Sequence, residues 1–97
     1  MRSLVFSPAA LRQYKRLSAR VRALLKQTIY ERLVQEDPAR EDRNRFRLRR
    51  ASAFADFELR VQQWRVFYRV QESVVIVELI GRKEGNSLFI EGKEFML

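Results

Sequence analysis

The sequence predicts an α+β fold in which an N-terminal edge strand and two helices precede an antiparallel β-meander packed against those helices, and three observations carry the prediction. Apolar residues recur at three and four residues between positions 8 and 35, they recur at every second residue from position 45 onward, and turn-forming residues gather between these runs. A chain of 97 residues, 46% hydrophobic and 11% aromatic, is expected to form one domain, 1–97, that buries roughly 60–65% of its unfolded surface.

Residues 3–6 form a short apolar run that stops at Ser7-Pro8, a hydroxyl cap followed by proline at the first helical position. A helix over 8 to about 17 follows, with Ala10, Leu11, Tyr14 and Leu17 on one side and Arg12, Lys15 and Arg16 on another. Ser18 then caps a second helix, 19 to about 35, in which Val21, Leu24, Leu25, Ile29 and Leu33 recur while Arg20, Arg22, Lys26 and Arg32 point away. Asp37-Pro38 ends it, because a proline pushes the preceding residue out of the helical region.

Residues 39–44 are polar and without periodicity, and read as a connector. Charge then alternates with hydrophobe over 45–49 and, after a break at 50–55, again over 56–61. Gln62-Gln63 makes a tight hairpin into 64–70, and Glu72-Ser73 turns into 74–80, the most β-branched run in the chain, which Gly81 is expected to stop. The tail from 82 carries the turn signals Gly85-Asn86 and Glu91-Gly92 around the apolar piece 88–90. With the apolar side of each strand toward the helices, the core is Phe46, Leu48, Phe57, Leu59, Val66, Tyr68, Val70, Ile76 and Ile80. The other face, left partly open, gathers Arg47, Arg49, Asp56, Glu58, Arg60, Arg65 and Arg69.

One third of the residues are charged and the net charge is +8, with no Cys and no His. Disulfides, thiolate nucleophiles, imidazole catalysis and zinc sites of the usual kind are excluded, so any chemistry must use Arg, Lys, Asp, Glu, Tyr or Ser, and neither a metal nor a cofactor is expected. No apolar run approaches the roughly 20 residues of a membrane span, and the first six residues offer no long apolar segment, so a cytoplasmic protein without a membrane partner is expected. Residues 1–50 hold 14 Lys and Arg against 5 Asp and Glu, whereas 51–97 hold 6 against 7. Such asymmetry suits a polyanion, and nucleic acid is the first candidate.

Three constellations follow. Arg40, Arg43, Arg45, Arg47, Arg49 and Arg50 place six arginines in eleven residues, a phosphate-binding set or else a solvated strand face balanced by Glu41 and Asp42. Glu58, Arg60 and Arg65 alternate on adjacent strands, where they form either a cross-strand ion pair or a general base beside two phosphate-stabilising cations. Gly81-Arg82-Lys83 puts two cations past the last long strand, over the sheet or in a solvated turn.

The order of elements, the strand Glu58-Leu59-Arg60-Val61, the segment Trp64-Arg65-Val66-Phe67-Tyr68-Arg69-Val70 and the apolar strand ending in Ile80-Gly81-Arg82-Lys83 resemble the RelE/ParE toxins of bacterial type II toxin-antitoxin systems, over nearly the whole chain. The resemblance implies a small cytoplasmic toxin neutralised by a cognate antitoxin encoded by the adjacent gene. RelE-like members are ribosome-dependent, metal-independent mRNA endonucleases, and ParE-like members act on DNA gyrase. Carried over residue by residue, Arg65 matches the arginine that stabilises the cleaved phosphate in RelE-like members, Arg82 and Lys83 fall where basic active-site residues stand, and Glu58 lies near the glutamate base of other members. The leading expectation is a RelE-like toxin that presents Glu58, Arg60, Arg65, Arg82 and Lys83 to mRNA on the ribosome while the arginines from 40 to 50 and the helix arginines bind ribosomal RNA. A gyrase inhibitor and an inactive basic nucleic-acid-binding relative are the alternatives. Phe89 stands where a catalytic tyrosine or histidine is common, and a phenyl ring cannot transfer a proton.

Overall fold

A computed structural model describes residues 2–49 and 53–95. Strand β1 (Ser3–Phe6) leads into α1 (Pro8–Lys15) and α2 (Ala19–Ile29), which runs on into a π-helical segment, Tyr30–Gln35. The strands β2 (Arg45–Arg47), β3 (Phe57–Val61), β4 (Trp64–Gln71), β5 (Val74–Glu84), β6 (Ser87–Ile90) and β7 (Lys93–Phe95) follow as an antiparallel meander in sequence order. The expected order is met, and both hydroxyl caps form. The Ser7 and Ser18 side chains accept from the Ala10 and Val21 amides at 3.0 and 3.3 Å, occupying donors that a helix start leaves free.

Strand β5 carries the sheet. Its first residues, 74–77, pair in parallel with β1, its last three pair with β6, and its other edge pairs with β4 from Val74 to Arg82. It runs through Gly81, where a stop was expected. The glycine serves another purpose: a Cβ there would meet Leu88 Cδ1 at 2.9 Å and Ile90 Cγ1 at 3.1 Å, so the bare backbone lets the β6 side chains close over the strand. Between the stretches held by β1 and β6, the β5 edge has no strand partner among the described residues, and α1 with its cap residue supplies the missing groups. Gln13 accepts from the Ile80 amide at 2.7 Å, and the Ser7 hydroxyl donates to the Glu78 carbonyl at 2.8 Å. A polar side chain on the buried face of α1 is thereby accounted for.

Ala10, Val21, Leu25, Ile29 and Leu33 of the helical layer pack against Phe57, Leu59, Val66, Tyr68, Val75, Val77 and Ile80. Three expected core residues lie elsewhere. The register Phe46↔Glu58 puts Phe46 on the Glu58 side of the sheet; Leu48 joins a second apolar cluster with Ala55, Phe67, Leu79, Leu88, Ile90 and Phe95; and Ile76 pairs with Arg69, away from the helices. A bulge between Phe67 and Tyr68, opposite Glu78, shifts the alternation within β5. The second cluster also covers part of the face that was expected to be open.

The inverted phase of β2 has a clear cause. Arg45, expected on the polar side, points inward and is completely buried. Its guanidinium donates to the carbonyls of Arg40, at 2.6 Å, and Arg32, and reaches Glu36 and Asp42 at 3.2 and 3.5 Å. Pro38 is held in turn by the Tyr68 hydroxyl, which donates to its carbonyl at 2.6 Å. The stretch that reads as a polar connector is therefore tied to the sheet from below. At Asp42, partial burial raises the carboxyl pKa, but the Asn44 amide and the guanidiniums of Arg32, Arg45 and Arg40 outweigh it and hold the group below its ordinary value.

Arg45→Met strips donors from two carbonyls and two carboxylates and is expected to lower unfolding free energy by about 2–4 kcal/mol, against less than about 0.5 kcal/mol for Arg43→Gln, both measured by urea denaturation. A lowered carboxylate pKa stabilises above the unfolded value and loses that contribution as pH falls through the folded value. The stability difference between wild type and Asp42→Asn is therefore expected to be constant near neutrality and to close below about pH 4 in an acid titration of unfolding.

Candidate functional site

The antiparallel register of β3 and β4 sets Arg60 directly opposite Arg65, with Glu58 one pleat along on the same face. Glu58 Oε2 lies 3.3 Å from Arg60 Nε and 3.4 Å from Arg65 Nε, so one carboxylate serves two cations. The three side chains differ in access. Those of Glu58 and Arg65 are 12% and 13% exposed, and that of Arg60 is 46% exposed, its guanidinium lying 4.8 Å from the centre of the Phe46 ring. Arg65 is committed further, donating to the backbone carbonyls of Gln62 at 2.7 Å and Trp64 at 2.9 Å. These bonds tie it to the hairpin turn, where Gln62 adopts a positive φ of 56°. Burial lowers the Arg65 pKa, the Glu58 charge opposes this and Arg60 adds to it, yet a guanidinium stays charged throughout.

The other predicted residues divide between faces. Gly81 sits opposite Arg65, so Lys83, two residues on, extends the same face, and its amide donates to the Gln63 carbonyl at 2.7 Å. Arg82 pairs with Trp64 and Phe89 in register, on the reverse face, and forms an ion pair with Glu84 at 2.5 Å. The structure thus gathers Glu58, Arg60, Arg65 and Lys83 and separates Arg82 and Phe89 from them. Tyr68 is buried on the helical side, where desolvation drives its hydroxyl far above its ordinary pKa, so it stays a protonated donor.

Of the arginine run, Arg40, Arg43, Arg47 and Arg49 are exposed, Arg45 is buried as described, and Arg50 lies outside the described residues. Arg47 falls on the Phe57 side of the sheet, against expectation, and its guanidinium lies 4.6 Å from that ring's centre. A further cluster went unread in the sequence. Arg69 reaches Glu78 at 3.3 Å and Asp56 at 4.0 Å and donates to the Phe54 carbonyl at 3.0 Å. The signal available was the placement of Asp56 and Arg69 on neighbouring strands, but Glu78 joins them only because of the bulge.

Arg65→Ala removes two charge-assisted bonds to the hairpin and leaves Glu58 poorly solvated, for an expected loss of about 1.5–3 kcal/mol in urea denaturation. Glu58→Gln keeps Arg65 on its carbonyls and is expected to cost less than about 1 kcal/mol.

No helix among the described residues is long and apolar enough to cross a membrane. The sequence profile of the ParE toxin of type II toxin-antitoxin systems matches residues 4–85. Among solved structures, the toxin-antitoxin complex RelBE2 of Mycobacterium tuberculosis holds a chain 23% identical to this one, with a TM-score of 0.69 over 84% of this chain and 91% of that one, which shows a shared fold. The intact RelBE toxin-antitoxin complex of E. coli holds a chain 26% identical, with a TM-score of 0.58 over 87% of this chain and 99% of that one. No curated protein matches. With a profile match across strand, helices and meander, the chain belongs to the ParE toxin family, within the RelE/ParE superfamily of type II toxin-antitoxin toxins.

Proposed function

We propose that this toxin acts by binding a protein target, DNA gyrase, and that a cognate antitoxin from the adjacent gene neutralises it. One observation carries the reading: the residues best placed for RNA cleavage are already used within the fold. Arg65 gives its donors to the Gln62 and Trp64 carbonyls and to Glu58, and both side chains of that pair are nearly covered. A general base needs a free carboxylate within reach of the proton that it takes, and a transition-state clamp needs free donors aimed at the phosphate. Glu58 Oε2 is shared between two guanidiniums, and Arg65 keeps only Nη2 uncommitted, so both groups serve the fold first. The Tyr68 hydroxyl is held protonated on the far side of the sheet, and Phe89 supplies no proton. A basic protein of this shape suits a partner that brings acidic and apolar side chains, the composition expected of the antitoxin segment.

The RNase reading keeps one point in its favour, since Glu58, Arg60, Arg65 and Lys83 do share a face. Inducible expression with two readouts separates the two. Induction alone is expected to relax a reporter plasmid and to leave ribosome-bound mRNA uncut in primer extension, and co-expression of the adjacent gene is expected to restore growth. Glu58→Gln is expected to remain as toxic as wild type, whereas a general base would lose about 100-fold or more. Cleavage of ribosome-bound mRNA with normal supercoiling overturns the proposal and installs the RNase.

A further inference from the structure

The ion pairs sort the cations of this protein into two populations. Beyond residue 30, Arg32, Arg45, Arg60, Arg65, Arg69 and Arg82 each lie within ion-pair distance of a carboxylate of the same chain. The arginine run noted in the sequence is interleaved with acids as well, residues 36–49 holding five arginines and four carboxylates. The first thirty residues are different. Residues 1–30 contain seven Lys and Arg and no Asp or Glu, so seven of the eight net positive charges belong to them, and residues 31–97 are close to neutral, with 13 against 12.

Within that stretch, Lys15, Arg16, Arg20 and Lys26 are exposed, at the α1–α2 turn and along α2. Two carboxylates reach this surface: Glu91 pairs with Arg12 at 2.8 Å and its charge is felt at Arg16, and Glu31 accepts from Gln27 at 3.1 Å without pairing a cation of α2. Among the described residues no ion pair holds Lys15, Arg16, Arg20 or Lys26. The first turn of α2 has no acid and carries Arg20 and Arg22, so cations stand where the helix dipole favours anions. That arrangement works against the isolated helix and becomes favourable when an external anion is shared between the side chains and the helix start.

We propose that the α1–α2 hairpin is a docking surface for the phosphate backbone of duplex DNA, built by Lys15, Arg16, Arg20 and Lys26. The occupant is a polyanion because the four side chains are cationic, exposed and without an ion-pair partner among the described residues. The choice of DNA rests on the gyrase reading above, in which the target itself holds a duplex. Backbone contacts of this kind supply affinity and register without sequence preference and weaken steeply with salt.

The test needs neither gyrase nor toxicity, so its failure is distinguishable from failure of that reading. The purified chain is titrated against a fluorescent 20-base-pair DNA duplex of mixed sequence across a salt series, beside an A-form RNA duplex of equal length. Replacing Lys15, Arg16, Arg20 and Lys26 together with Gln is expected to weaken DNA binding about tenfold or more at low salt, and to make the log–log salt slope shallower by about 3 to 4, near one counterion per lost phosphate contact. The charge-matched variant with Gln at Arg40, Arg43, Arg47 and Arg49 is expected to keep most of the affinity. Equal losses in the two variants would show a response to net charge alone and overturn the assignment, as would tighter binding of the RNA duplex or an unchanged slope. Circular dichroism of the four-residue variant is expected to match wild type, since all four side chains are exposed.

Discussion

Burying Arg45 removes a guanidinium from water, and much of the molecule is arranged to make that tolerable. A fully desolvated cation is costly unless every donor finds an acceptor, and the fold supplies acceptors from three places: the π-helical segment through Arg32, the following loop through Arg40, and the carboxylates Glu36 and Asp42. The same inward turn fixes the phase of β2, and with it the position of Phe46 under Arg60 and of Arg47 over Phe57. A single arginine thus couples the end of the helical layer to the first strand of the meander. Arg2 ties the same region from the N-terminus, donating to the carbonyls of Val34 and Glu36.

The logic of that interaction extends over the sheet. Arginine is used here as an internal fastener: Arg65 holds a hairpin turn, Arg69 holds the segment before β3, and Arg60 lies over an aromatic ring. Each such use consumes donors that would otherwise face a ligand. The first thirty residues contain no carboxylate of their own, and among the described residues only Arg12 of their cations finds an ion-pair partner, so the start of the chain presents more uncompensated positive charge than the sheet.

The order of elements was legible in the sequence because local signals and tertiary structure agree there. Ser7-Pro8 and Ser18 cap helices as their chemistry dictates, and the alternation in 57–61 and 64–70 reads correctly on the helical side through Phe57, Leu59, Val66, Tyr68 and Val70. What failed was phase. In Arg45-Phe46-Arg47 the pattern of charge and hydrophobe is the same whichever side faces inward, and only the long-range acceptors for Arg45 decide it. In β5 the bulge opposite Phe67 and Tyr68 moves Ile76 off the core while leaving Val75, Val77 and Ile80 on it, which a strict period of two cannot express. At the candidate site the residue types and their shared face were readable from Glu58, Arg60 and Arg65. The extent to which Arg65 is bound to its own hairpin was not, because backbone acceptors carry no signature in the sequence.

The placement of β5 also dictates when this protein can exist as a folded object. Its edge joins β1 to the late part of the chain, as in the Ser7 to Glu78 contact, 71 positions apart, and among the described residues β1 pairs with no other strand. Such non-local pairing raises contact order and delays the final docking step. During synthesis the first strand and the cation-rich helices must wait, unpartnered, until β5 has been made, at about 5–20 residues per second. A product truncated before the seventies contains the whole helical layer and most of the arginines but lacks the strand that organises them.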